Sequence, residues 1–229
     1  MTIPKNATKD ILLLCVKRPE ADETTLTAAL REAVALCHGI ETELATITPP
    51  TALPALAHVA APDKELPDAI LTLRASGEAL FARLPDVAMA LECAVDRARS
   101  SLLAADRHTI LPGRNAIRLF FGLRRLETLT LDAFQDYWLN RHAELGRRLI
   151  PPYSYHQLHT DPVATPATAM HAGIPASTFD GVVEVHFPDI GAFVAQLSRP
   201  EVAEEALADE RHFIDHARSI FWAYHTLPG

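Results

Sequence analysis

Phe179-Asp-Gly-Val-Val-Glu-Val-His186 lies over Pro67-Asp-Ala-Ile-Leu-Thr-Leu-Arg74, position by position. Each stretch is a short run rich in branched apolar residues, which reads as a β-strand. The surroundings match as well. Ahead of the first stretch come a strand over 10–17, a helix over 22–37 and a weak edge strand over 41–48. That helix carries Leu26, Leu30, Ala33 and Val34 at helical spacing and ends at His38-Gly39. After the first stretch come a helical segment over 77–104, interrupted at Pro85, and a strand over 107–111. Around the second stretch the same order returns: strand 116–123, helix 131–149, strand 153–160, helical segments from 190 to about 216 broken at Pro200, and strand 219–226. The Pro/Ala-rich segments 49–67 and 161–177 read as loops.

Each half therefore has the order β-α-β-β-α-β, the split βαβ pattern of a ferredoxin-like unit. The recurrence points to an internal duplication, with halves at 1–113 and 114–229. The +4, +4 spacing of Leu30, Val34 and His38 repeats that of Phe134, Trp138 and His142. The predicted fold class is α+β: two tandem ferredoxin-like halves pairing sheet to sheet as an α+β barrel. Such a barrel closes within a monomer, and a homodimer through its outer helices is also open.

Composition narrows the function. Hydrophobic residues make up 48% of the 229, enough for a packed core. The net charge of −8 argues against nucleic acid and anionic membrane as partners. Cys15, Cys37 and Cys93 are widely spaced and read as free thiols of a cytoplasmic protein. The expected partner is a small-molecule substrate.

The second half resembles the EthD domain family. The resemblance rests on Phe134-x-x-Tyr137-Trp138-x-x-x-His142-Ala-x-Leu145, on Tyr155-x-Gln157-x-His159, on Phe179-Asp180-Gly181-Val182-x-Glu184-x-x-Phe187, and on Asp209-Glu210-x-x-Phe213-Ile214-Asp215. It implies a dimeric α+β barrel and small cofactor-free enzymes of polyketide and aromatic metabolism, among them cyclases, dehydratases, decarboxylases and isomerases.

Alternation on the strands orients the candidates. Val183, Val185 and Phe187 suit the helix side, so Glu184 and His186 point into the barrel. On 116–123, Arg118 and Phe120 point inward. Tyr155, Gln157 and His159 share a face, assigned inward. His142 lies on the apolar stripe of its helix, within reach of the barrel mouth. The expected acid/base groups are His142, Glu184, His186, His159 and Tyr155, with Glu184 desolvated into a base. Arg118, Arg74, Phe120 and Gln157 are the expected substrate contacts. The residues fit a lyase or isomerase that decarboxylates, dehydrates or cyclises a small aromatic or polyketide-like acid without a cofactor. The alternative is a non-catalytic small-molecule or haem-binding barrel. Metal is the rival use of His142, His159, His186 and Glu184. His212-x-x-x-His216 also has helical ligand spacing, but no HExxH surrounds it, and no intrinsic metal is expected.

Overall fold

The computed structural model describes residues 8–53, 65–148 and 153–227. Eight antiparallel strands close a barrel in the order β1-β3-β2-β8-β5-β7-β6-β4. The strands are β1 (Thr8–Cys15), β2 (Glu41–Ile47), β3 (Ala69–Ser76), β4 (Ser101–Leu111), β5 (Ile117–Leu123), β6 (Ser154–Thr160), β7 (Gly181–Phe187) and β8 (Ile220–Leu227). The first four form one ferredoxin-like sheet, ordered β4-β1-β3-β2. The last four form its counterpart, β8-β5-β7-β6. The sheets join edge to edge, β2 to β8 and β4 to β6, so a single chain completes the barrel. Closure removes the free edges that each half would otherwise expose.

The two joints differ. β4 and β6 pair from Ala105↔Thr160 to Leu111↔Tyr155, across a bulge. β2 and β8 pair only from Leu44↔Leu227 to Ile47↔Tyr224. Glu41, Thr42 and Glu43 thus have no strand partner on the β8 side. The weak edge strand of the sequence reading is half an edge and half a seam.

Helices cover the outside. Asp22 caps α1 (Glu23–Ala35), accepting the Thr25 N–H at 2.7 Å. Leu26, Ala29, Leu30 and Ala33 of α1 are buried on the first sheet. α2 (Gly77–Ala90) runs unbroken through Pro85, where an interruption was expected. Proline removes one backbone donor, and packing on α1 and the sheet outweighs the cost of about 3 kcal/mol. The helix stops at 90, and residues 101–104, read as helical, open β4 instead. The 161–177 loop is likewise corrected: Ala164–Ala172 forms α5. Its Ala164, Ala169 and Ala172 join the core of the first half, and Thr165 Oγ1 donates to Ala104 O at 3.0 Å. Small residues hid this helix, because alanines give no apolar stripe. Residues 54–64 of the other Pro-rich segment lie outside the described residues.

In the second half, α3 (Leu131–Tyr137) continues through a π-helical turn, Trp138–His142, into α4 (Ala143–Gly146). α6 (Ile190–Leu197) is followed by a second π-helical segment, Glu201–Ala206, and the short α7 (Leu207–Glu210). His212 and His216 fall in the turns beyond α7 rather than on a helix. Phe134, Trp138 and Phe213 are fully buried against Phe121 and Leu123.

Gly181 sits beneath the Trp138 ring, and a Cβ there would overlap it and press on Leu158 O. Gly181→Ala should destabilise the fold by about 1–3 kcal/mol through overpacking. A lowered midpoint in thermal unfolding checks this; an unchanged midpoint would contradict the packing.

Candidate functional site

Contacts between strands that are not neighbours identify the barrel interior. Arg118 on β5 donates through Nη1 to Thr72 Oγ1 on β3 (3.1 Å) and to Glu43 Oε1 on β2 (3.5 Å). Its Nη2 pairs with Glu184 Oε1 on β7. Arg107 on β4 reaches across to Glu184 Oε2 (2.7 Å) and also holds Asp10 Oδ2 on β1. Arg74 on β3 binds Asp10 Oδ1 at 2.8 Å and Glu41 Oε1 at 2.7 Å. One end of the barrel is thus a network of carboxylates and guanidiniums drawn from both halves. The other end is apolar, filled by Leu14, Ile70, Leu103, Phe120, Val182 and Trp222. Trp222 Nε1 donates to Thr48 O at 2.7 Å, and Tyr224 donates to Pro67 O at 3.0 Å, so their polar atoms are satisfied.

Two histidines complete the polar end. His186 stands directly across from Arg118 on β5 and from Ser154 on β6. Its Nε2 lies 3.7 Å from Glu43 Oε1. His156 contacts Thr109 Oγ1 through Nδ1 (3.2 Å) and Gly113 O through Nε2 (3.4 Å). The two rings meet edge to face, 6.3 Å apart. Burial pushes both imidazoles down to about 4; Glu43 pulls His186 upward, and Arg107 depresses His156 further. Burial alone would raise Glu43, but the charges of Arg118, His186 and Arg114 outweigh it and hold the carboxyl at about 2. Burial also lowers Arg118 to about 10, against the upward pull of Glu43.

Two polar atoms here have no partner among the described residues: Arg118 Nε and Ser154 Oγ, both buried. They flank His186 on its neighbouring strands. An unmatched buried donor costs about 1–3 kcal/mol, so two such atoms on the strands beside one imidazole mark this row as the candidate site.

Of the residues expected to act together, Glu184, His186, Arg118 and Arg74 meet in the polar end, and Phe120 lines the apolar end. Three assignments change. Tyr155, Gln157 and His159 face the helices, not the barrel. The Tyr155 hydroxyl accepts from Trp138 Nε1 (3.2 Å) and Gln157 Nε2 (2.9 Å), and the His159 ring stacks on Trp138 at 4.6 Å. Burial and the nearby His108 push His159 down to about 3. His142 lies outside too, its Nδ1 2.7 Å from Asp209 Oδ2, and Tyr137 donates to the same carboxylate. It is therefore remote from the barrel mouth, and its proposed counterpart His38 is exposed beyond the end of α1. Glu184 is an acceptor locked between two guanidiniums rather than a free, desolvated base. The ligand set His142, His159, His186 and Glu184 is split between the two faces of the sheet and does not assemble.

The sequence reading missed Asp10, Glu43, Arg107, Arg114, Ser154 and His156. Asp10 and Glu43 share parity with the inward Leu12 and Ala45, a signal that was present. β6 carried none: all seven of its residues are buried, and polar groups stand on both faces. A one-residue error of phase exchanged His156 for Tyr155 and Gln157.

A haem slipped between helices and sheet would need an open slot beside a ligating histidine. Trp138, Phe134 and Phe213 fill that layer, and the His142 ring packs on Phe213 at 5.0 Å. These residues do not fit a haem.

The model of the EthD domain family matches residues 126–217. No curated protein matches the chain. Among solved structures, a protein assigned as a chlorite dismutase is similar over 96% of this chain and 95% of its own, with 11% identity and a TM-score of 0.59. A protein from Fusobacterium nucleatum subsp. nucleatum, assigned as a monooxygenase, is similar over 96% and 92%, with 8% identity and a TM-score of 0.58. At such identities the likeness establishes the fold, and it does so for both halves. No described helix is long and apolar enough to cross a membrane.

The depressed histidines make stability depend on pH. The unfolded chain takes up protons at these side chains near pH 6.5, and the folded chain only near pH 4 or below. Their contribution is fully present above pH 6.5 and is lost as the pH falls toward 4. Thermal unfolding between pH 7.5 and 4 should show a falling midpoint, with a shallower fall in His156→Gln. A flat profile would refute the burial of these rings.

Proposed function

We propose that this chain, whose residues 126–217 carry the EthD domain, is a cofactor-independent acid/base enzyme. Its reaction is of the lyase or isomerase type, on a small aromatic or polyketide-like acid held at the polar end of the barrel. The observation that carries this reading is the row Arg118–His186–Ser154 on three adjacent strands, with two buried donors that lack acceptors among the described residues. Decarboxylation, dehydration and cyclisation can all pass through enolate-like states, with negative charge on a carbonyl oxygen conjugated with the carbon that gains or loses a proton. In this reading Arg118 Nε–H and the Ser154 hydroxyl, which lack partners among the described residues, are the donors to that oxygen. His186 is the acid/base group: it is neutral at pH 7, and Glu43 stabilises the imidazolium that forms when it takes a proton. Glu184 is a positioning residue, fixing Arg118 and Arg107.

The test is turnover of hydroxylated benzoic and naphthoic acids and short β-keto acids, followed by NMR in heavy water with carbon dioxide detection. His186→Ala should lower the rate by about 10²–10⁴-fold with the fold intact. Ser154→Ala should lower kcat more than it changes KM. Undiminished turnover in His186→Ala would overturn the assignment. Glu184→Gln is a poorer probe, because removing one charge from a buried pair costs about 3–5 kcal/mol of stability.

A further inference from the structure

The half-open seam between β2 and β8 leads to a cleft. Beyond Leu44↔Leu227 the two strands part, and a cavity of about 690 Å³ lies between α1, the start of β2 and the end of β8. Its size suits a small organic ligand. One wall is apolar: Val34, Leu44 and Leu227. The polar lining includes Arg31 from α1, Arg114 from the segment joining the halves, and Glu43.

Arg114 links this cleft to the polar end through Glu43, which lines the cleft and belongs to the interior network. Its guanidinium pairs with Glu43 Oε2, and Nη2 reaches Thr42 O at 3.5 Å. It therefore occupies the position on β2 that β8 leaves unpaired. The Arg114 side chain is half exposed, whereas Glu43 is nearly buried, so the guanidinium is the partner that a ligand from solvent can reach. Neighbouring residues of the same segment touch both interior histidines: Gly113 O meets His156, and Asn115 meets His186. Arg31 is exposed and has no ion-pair partner among the described residues.

We propose that this cleft is the entry and binding site for a monocarboxylic acid with a flat apolar body, and that Arg114 is its latch. The carboxylate is taken by Arg31 and Arg114 while the body lies on Val34, Leu44 and Leu227. A ligand carboxylate competes with Glu43 for Arg114. Drawing Arg114 away uncovers Glu43 and leaves it to His186 and Arg118. The opposite joint, zipped from Ala105 to Leu111, offers no such opening. Charge selects the ligand: two guanidiniums face one carboxylate already shared with Arg118 and His186, so an anion is attracted and a cation repelled. The identification of the ligand as substrate rests on the acid/base reading above, whereas the binding itself does not.

The test is calorimetric titration of the intact chain with 2-naphthoate and with its neutral isostere 2-naphthamide. Naphthoate should bind, the amide at least about tenfold more weakly. Arg114→Ala should weaken naphthoate about tenfold or more, Arg31→Ala by a smaller factor, and neither should change binding of the amide. Arg114 is half exposed on a connecting segment, so both variants should fold; circular dichroism checks this. Equal binding of acid and amide, unchanged naphthoate affinity in both arginine variants, or no binding by the wild type would each overturn the cleft assignment. His186→Ala separates the two readings. It should keep naphthoate affinity within about twofold while lowering turnover of substrate acids by about 10²–10⁴-fold. Arginine-dependent binding without turnover of any acid leaves the cleft standing and sinks the enzyme. His186-dependent turnover with arginine-independent binding does the reverse.

Discussion

Everything at the polar end depends on one buried cation. Arg118 is fully enclosed, and bringing a guanidinium out of water costs several kcal/mol unless it is paired. Its partners come from three strands and both halves: Glu184 beside it, and Thr72 and Glu43 across the barrel. Glu184 is held in turn by Arg107, and Arg107 by Asp10. No half contains a complete set. Asp10 pairs with Arg74 and Arg107 inside the first half and Glu184 with Arg118 inside the second, while Glu43–Arg118 and Arg107–Glu184 cross between them, so the network is complete only when the barrel closes. The same requirement fixes how the halves meet, since a slipped register would strand an ion in the apolar end.

The two halves share one element order, and the division follows from where their side chains differ. Under the alignment of 67–74 with 179–186, Thr72 matches Glu184 and Arg74 matches His186. Strand pairing sets Asp10 opposite Arg74 and Arg118 opposite His186. Asp10 and Arg118 therefore occupy corresponding places with opposite charge. Opposite charges at matched positions convert a repetitive barrel into an asymmetric one. The asymmetry extends to the seams: one is zipped along its length, and the other is left half open and covered by a side chain.

The helix layer follows a different logic. In the second half Trp138 is its centre, stacked on His159, bonded to Tyr155 and covered from the strand by a glycine that leaves room for the ring. Several residues that looked chemical in the sequence serve this packing. Tyr155 and Gln157 satisfy buried donors and acceptors around an indole, a role that residue type alone does not separate from catalysis.

The sequence by itself determined the fold class, the repeated element order, and the inward face of β5 and β7. Those properties rest on periodicity and element order, which are local. It placed Arg118, Glu184 and His186 correctly because Leu119 and Phe121, and Val183 and Val185, leave no choice of face. Only the tertiary structure decided the rest. It chose the phase of β6, where both faces are buried and polar. It set α5 on the first half's core, although its small residues carry no stripe. It brought Asp10, Glu43 and Arg107 to Arg118 from strands far apart in the chain. Those contacts cross the barrel, and no local pattern encodes which side chain lies opposite another once a sheet has closed.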